Sequence, residues 1–216
     1  MTTVLIVRHG ESPGNMLGEF HGQTPSDITP FGHEQAEATA VFLDRYPIDA
    51  VYSSDLPRAF STAKHTADRR GLTVTPEKGL REIDAGKWER MKFDDIPVRY
   101  PKEHYLWYHD MANSAAPGGE SVREMAKRVA DTLDRIAAEN DGKTIAVFTH
   151  ATPIRTLEPH FAGKPLEYMN MLTWVANASV TEVIFDNRGG YRVAARGMAD
   201  HLLAAFGKLT GVPANI

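Results

Sequence analysis

The run Val4-Leu5-Ile6-Val7 carries no polar residue. A strand with one face in water alternates apolar and polar side chains, so an unbroken apolar run rich in β-branched residues needs cover on both faces. Thr144 to Phe148 repeats the pattern late in the chain. Two such strands call for helices on either side of a sheet. Thr29-Pro30 supplies an N-cap and a proline at the first helical position, opening a helix that runs to about Leu43. Ala50 to Tyr52 reads as a short strand, and Asp55 to Arg70 as a helix with Pro57 tolerated in its first turn. Ser121-Val122-Arg123-Glu124 forms a capping box, followed by Met125, Val129, Leu133 and Ile136 at three- and four-residue spacing. Thr152-Pro153 starts another helix, and Val180 to Phe185 with Tyr191 to Ala195, joined through residues 187–190, read as a late hairpin. The alternation predicts an α/β fold: a three-layer αβα sandwich with a largely parallel central sheet. The segment 90–119 breaks it. Rich in aromatic residues and proline, it reads as an insertion over the sheet's edge, suited equally to a lid over an organic group and to a capping core. With 216 residues, 42% of them hydrophobic, the expectation is a single domain over 1–216.

Charge and cysteine content narrow the function. A net charge of -4 argues against a general polyanion binder, so no nucleic-acid partner is expected. The chain has no cysteine, which rules out disulfides and thiolate metal sites and suits a reducing cytoplasm. Val4 to Val7 is too short for a secretory segment or a membrane span, so the expectation is a soluble, unprocessed protein with no membrane partner. A homodimer stays open.

Two candidate nucleophiles lie close together near the start. Gly10-Glu11-Ser12-Pro13-Gly14 matches the G-x-S-x-G pattern of serine hydrolases. In such an elbow the N–H after the serine forms half of the oxyanion hole, and Pro13 has none. Ser12 reads better as a helix-start or pocket residue. His9 lies just past the carboxyl end of a buried strand, where open α/β sheets place ligands, and His150 stands in the same relation to strand 144–148. Each has an arginine near it in sequence, Arg8 and Arg155. If the two strands are neighbours, both imidazoles meet at one edge of the sheet.

Arg8-His9-Gly10-Glu11-Ser12 with Asn15, Ser54-Asp55-Leu56-Pro57-Arg58-Ala59 with Thr62-Ala63, Leu80-Arg81-Glu82 with Gly86 and Trp88-Glu89, Pro117 to Ser121, and Thr149-His150 occur in that order. Together they resemble the histidine phosphatase superfamily in its phosphoglycerate-mutase-like branch, over roughly residues 4–185. The resemblance implies that His9 is the residue phosphorylated, that Arg8, Arg58 and His150 form the phosphate pocket, and that Glu82 is the proton donor. It further implies a metal-independent phosphatase acting on a small-molecule phosphomonoester, with no cofactor. Forked guanidinium donors suit the equatorial oxygens of a phosphoryl group in transfer. A cation about 5 Å from His9 would disfavour its protonation by roughly 3 kcal/mol at an effective dielectric near 20, keeping the nucleophile neutral. No metal-ligand motif such as H-E-x-x-H is present.

Departures from the family pattern shape the details. Ala151 follows the second histidine where a glycine is usual, and any need for positive φ there would be strained. His21, before Gly22, stands where the family often has a Ser, Thr or Gln that contacts substrate, so Asn15, His21 and Gly22 are the candidate substrate contacts. The segment after Glu82 lacks the long basic, tyrosine-containing stretch of the phosphoglycerate mutases. That favours a phosphatase over a phosphomutase, and a catalytically silent phospho-ligand binding module is a third reading.

Overall fold

The computed structural model describes residues 1–186 and 190–212. In chain order the principal elements are β1 (Thr2–Arg8), α1 (Pro13–Leu17), α2 (Pro30–Leu43), β2 (Ile48–Ser53), α3 (Pro57–Arg70), β3 (Val74–Pro76), α4 (Ile96–Arg99), α5 (Pro101–His109), α6 (Val122–Glu139), β4 (Thr144–Thr149), α7 (Ala151–Phe161), β5 (Val180–Phe185), β6 (Tyr191–Met198) and α8 (Asp200–Phe206).

The six strands form one sheet in the order β3-β2-β4-β1-β5-β6. The pairings β3/β2, β2/β4 and β4/β1 are parallel, whereas β1/β5 and β5/β6 are antiparallel. The sheet is therefore mixed, and β5 and β6, consecutive in the chain and close in sequence, can pair only antiparallel. β3 has a single buried residue, Val74, and leaves too short a pattern to be read from sequence. The 187–189 part of the expected turn lies outside the described residues.

Strand periodicity divides the core into two halves. Val4, Ile6, Ile145 and Val147 face one side, where they pack with Leu133 and Ile136 of α6 and Ile154 and Leu157 of α7. Leu5, Val7, Ala146 and Phe148 face the other, against Leu43 of α2 and Ala63 and Ala67 of α3. This two-sided cover is what the unbroken apolar strands require.

Local capping follows the sequence. Thr29 Oγ1 accepts from the Gly32 amide at 3.0 Å, with Pro30 at the first position of α2. At α6 the Ser121 amide donates to Glu124 Oε2 at 2.9 Å, and the Glu124 amide returns to Ser121 Oγ at 3.2 Å. α7 starts two residues earlier than Thr152-Pro153 suggests, with His150 as its cap. Pro153 then lies in the first turn, where a missing N–H leaves no helical bond unmade.

Segment 90–119 contributes to both core and cavity. Ile96, Met111, Ala112 and Ala116 join the buried cluster, while Phe93, His104, Trp107 and Tyr108 line the main cavity. Phe20 holds it in place, its ring centroid 5.8 Å from Phe93, 5.3 Å from Trp107 and 5.8 Å from Trp88. Among the described residues, no helix is long and apolar enough to cross a membrane.

Candidate active site

The register of β1 on β4 sets the site. Arg8 pairs with Thr149, and the His9 amide donates to the Thr149 carbonyl at 3.0 Å. The next residues, His9 and His150, thus leave adjacent parallel strands side by side, with ring centroids 5.1 Å apart. They sit at the carboxyl edge of the sheet, beside a cavity of about 470 Å³ that Arg8, His9, Arg58 and Glu82 line.

His9 Nδ1 is 2.7 Å from the Gly10 carbonyl. A carbonyl can only accept, so Nδ1 carries the proton and Nε2 is left with its lone pair. Burial, then the charges of Arg58 and Arg8, hold the His9 pKa well below its ordinary value. His150 Nε2 meets Ser54 Oγ at 2.8 Å, while its Nδ1 is buried with no partner. Burial and Arg58 likewise depress its pKa.

Arg58 extends from the first turn of α3 and donates to the carbonyls of Thr24 at 3.1 Å, His21 at 3.1 Å and Gly22 at 2.7 Å. The amides of the same loop converge on Glu89, with Gly22 at 3.2 Å, Gln23 at 2.7 Å and Thr24 at 3.1 Å. One acid and one base therefore grip the loop from opposite sides. Arg8 donates to the carbonyls of Val175 at 2.6 Å and Gly211 at 2.7 Å. Burial lowers both guanidinium pKa values to about 10, which leaves them cationic at neutral pH. Glu82 accepts from its neighbour Ile83 at 2.9 Å and from the Thr152 amide in the first turn of α7 at 3.3 Å. Burial pushes its carboxyl pKa up.

With His9, Arg8, Arg58 and Glu82 lining one cavity and His150 packed against His9, the sequence comparison is decisive: residues 4–196 match the profile of the histidine phosphatase superfamily, branch 1. The chain belongs to that family. It is 31% identical over 157 residues to phosphoserine phosphatase 1 of Hydrogenobacter thermophilus, covering 73% of this chain and 74% of that one. It is 30% identical over 210 residues to a probable phosphoglycerate mutase, GpmB, of Yersinia pestis, covering 94% and 95%. Against a bifunctional protein of Mycobacterium tuberculosis, 35% identical over 157 residues, it spans 43% of the partner's length. Among solved structures, a mycobacterial glucosyl-3-phosphoglycerate phosphatase in complex with VO3 superposes with a TM-score of 0.84 at 26% identity, over 90% of this chain and 98% of that one.

In this member of the histidine phosphatase superfamily the remaining expected contacts divide. Asn15 and His21 line the cavity; Gly22 and His150 do not. Gly22 lies behind Arg58, and a Cβ there would come within 2.4 Å of both the Glu89 carboxylate and the Ile83 carbonyl. His21 has both ring nitrogens engaged, Nε2 with Glu19 at 3.1 Å and Nδ1 with Ser26 at 3.2 Å. Ser12 caps α1 and lines the cavity, its hydroxyl donating to Asn15 Oδ1 at 3.0 Å. Among the described residues, no imidazole is hydrogen-bonded to it. Ala151 starts α7 and is not among the residues with positive φ, so it carries no strain of that kind. Of the other acids near Glu82 in sequence or motif, Glu11 accepts from Thr29 at 3.0 Å, Asp84 is exposed, and Glu89 is spent on the loop.

Sequence reasoning missed the loop that closes over β1. Asn177 Nδ2 donates to the His9 carbonyl at 3.0 Å, and the Ala178 amide reaches the carbonyls of Arg8 and His9, both at 3.1 Å. Ala178 does so at φ 57, where glycine is usual, so no residue type marked the turn.

The buried imidazoles have a measurable consequence. Unfolded histidines take up a proton near pH 6.5, whereas His9 and His150 resist it when folded. Below that pH the unfolded chain binds more protons, so stability falls as pH drops; above it this penalty vanishes. Each ring is expected to add a slope of up to about 1.4 kcal/mol per pH unit below 6.5. Urea unfolding at several pH values should show His150→Asn losing part of that slope. Identical slopes would contradict it.

Proposed function

We propose that this chain hydrolyses a small-molecule phosphomonoester through a phosphohistidine on His9. The observation that carries the reading is the His9 ring, with Nδ1 tied to Gly10 and a neutral Nε2 at the cavity. In the first step Nε2 attacks phosphorus, the phosphorus–oxygen ester bond breaks, and the leaving oxygen takes the proton of Glu82. In the second, water attacks the phosphohistidine and gives its proton to the Glu82 carboxylate, releasing inorganic phosphate and restoring both groups. Arg8 and Arg58 stabilise the charge on the transferring oxygens. His150, outside the cavity lining and with its ring centroid 5.1 Å from that of His9, supports the nucleophile's ring.

We read residues 1–216 as one domain, with 90–119 inserted as an aromatic wall over the leaving group. A reducing cytoplasm suits a chain without cysteine. The phosphatase reading is favoured over a mutase because the chain after Glu82 gives Ile83, Ala85 and Trp88 to the core, and the basic residues that follow, Lys87, Arg90 and Lys92, are not among those lining the cavity.

The test is to incubate the protein with p-nitrophenyl phosphate, O-phosphoserine and 3-phosphoglycerate and to measure inorganic phosphate and 2-phosphoglycerate. Net phosphate release, persisting after exhaustive EDTA treatment because Arg8 and Arg58 supply the positive charge, is expected. Isomerisation without release would establish a mutase, and neither turnover nor labelling of His9 a silent binding module. Activity lost to EDTA and restored by a divalent cation would overturn the metal-independent step.

A further inference from the structure

The cavity holds a third arginine that the phosphoryl chemistry does not use. Arg155 lies on α7 one turn beyond Ala151, and Ala151, Thr152 and Arg155 all line the cavity. These positions share one helix face, with Arg155 about 6 Å further along the axis than Ala151. The residue is 8% exposed. Its Nε donates to the Met169 carbonyl at 3.0 Å, and its guanidinium lies over the Trp174 ring, 4.4 Å from the centroid.

Among the described residues, no carboxylate lies within 4.0 Å of it, and its two terminal nitrogens make no hydrogen bond. The nearest acid in sequence, Glu158, lies close enough for its charge to act on Arg155 but bonds Arg196 Nε, at 2.6 Å, instead. Trp174 Nε1 is also buried without an acceptor. A buried cation is ordinarily paired, and a buried donor ordinarily bonded. Here the guanidinium borders the cavity, so an acceptor that enters there can bond its free terminal nitrogens.

We propose that Arg155, oriented by Trp174 and Met169, binds a carboxylate on the substrate, making this a phosphatase of phosphorylated hydroxy or amino acids. The inference deepens the proposed function and rests on it. A carboxylate is acceptor-only and planar, and it matches the forked edge left free once Nε is taken. Its single negative charge balances the single spare cation, whereas a second phosphate would be left undercompensated. The short spacing along α7 suits a carboxylate a few bonds from the phosphoester. The Trp174 ring keeps the guanidinium in one plane, which lowers the ordering cost when the anion binds.

The experiment compares 3-phosphoglycerate with glycerol 3-phosphate, which differ at the carboxylate carbon, and O-phosphoserine with O-phosphoethanolamine. Equilibrium binding and kcat/KM are measured for the wild type and for Arg155→Gln and Arg155→Lys. The wild type is expected to favour the carboxylate member of each pair, and Arg155→Gln to reduce that preference about 10- to 100-fold, since hydrogen bonds to a charged group are worth one to two factors of ten. Arg155→Lys, which keeps the charge and loses the fork, is expected to fall between. It also keeps the test open if the glutamine variant does not fold. No preference in the wild type, or a preference equal in all three proteins, would overturn the carboxylate subsite. The binding arm needs no turnover, so the absence of p-nitrophenyl phosphate hydrolysis would count against the phosphatase reading separately.

Discussion

His9→Ala is expected to lower turnover of every phosphoester by about 10⁴-fold or more, while Ser12→Ala keeps a substantial fraction of the wild-type rate. The difference follows from what each side chain touches. The His9 tautomer is fixed by the Gly10 carbonyl, and two arginine charges with burial keep Nε2 unprotonated. Ser12 has no base: its hydroxyl donates to Asn15 Oδ1, an amide oxygen that cannot accept a proton for catalysis, and the following residue is Pro13. Initial rates with p-nitrophenyl phosphate and radiolabel on His9 after rapid quench measure both effects. A serine-directed phosphonate trapped at Ser12, with activity lost in step, would overturn the assignment.

Glu82→Gln is expected to slow phosphorylation of His9 by about 10² to 10⁴ for alkyl phosphates and by much less for p-nitrophenyl phosphate, in single-turnover measurements. An alkoxide is strongly basic and leaves with the proton of Glu82, whereas p-nitrophenolate hardly needs one. Single turnover isolates this step from hydrolysis of phosphohistidine. The pH dependence has a definite sign. Burial raises the Glu82 pKa, and the acid acts protonated, so the alkyl-ester rate falls as pH rises through that raised value. On the acid side the rate falls only below the depressed pKa of His9. The glutamine variant should lose the alkaline limb. Equal losses on both esters would mean that Glu82 keeps the shape of the pocket instead, and Asp84→Asn would then need the same comparison.

The elements that local chemistry dictates were legible in the sequence. Val4 to Val7 can be satisfied only by cover on both faces, and Ser121 to Glu124 can cap a helix with no help from elsewhere. The meeting of His9 and His150 was legible as a conditional, because it needs β1 and β4 to be neighbours. What stayed hidden depends on contacts between distant segments. Glu89 grips the amides of residues 22–24, Gly211 reaches Arg8, and Trp174 lies under Arg155. None of these leaves a periodicity or a spacing to read. Gly22 illustrates the same limit: its residue type marks a close approach, and only the fold shows that the approach is to Glu89 and Ile83 rather than to a ligand.

The pairing of β1 with β4 also bears on how the molecule comes into being. Thr3 lies opposite Thr144, so β1 waits for a partner made much later. At a synthesis rate of about 5–20 residues per second the wait is roughly 10–30 s. Throughout it, Val4 to Val7 has neither of its long-range neighbours, and closing so large a loop is the slow event in folding. No nascent fragment that ends before β4 contains both histidines. Regain of the site on refolding should therefore track the last cooperative phase, with helices such as α6 forming earlier.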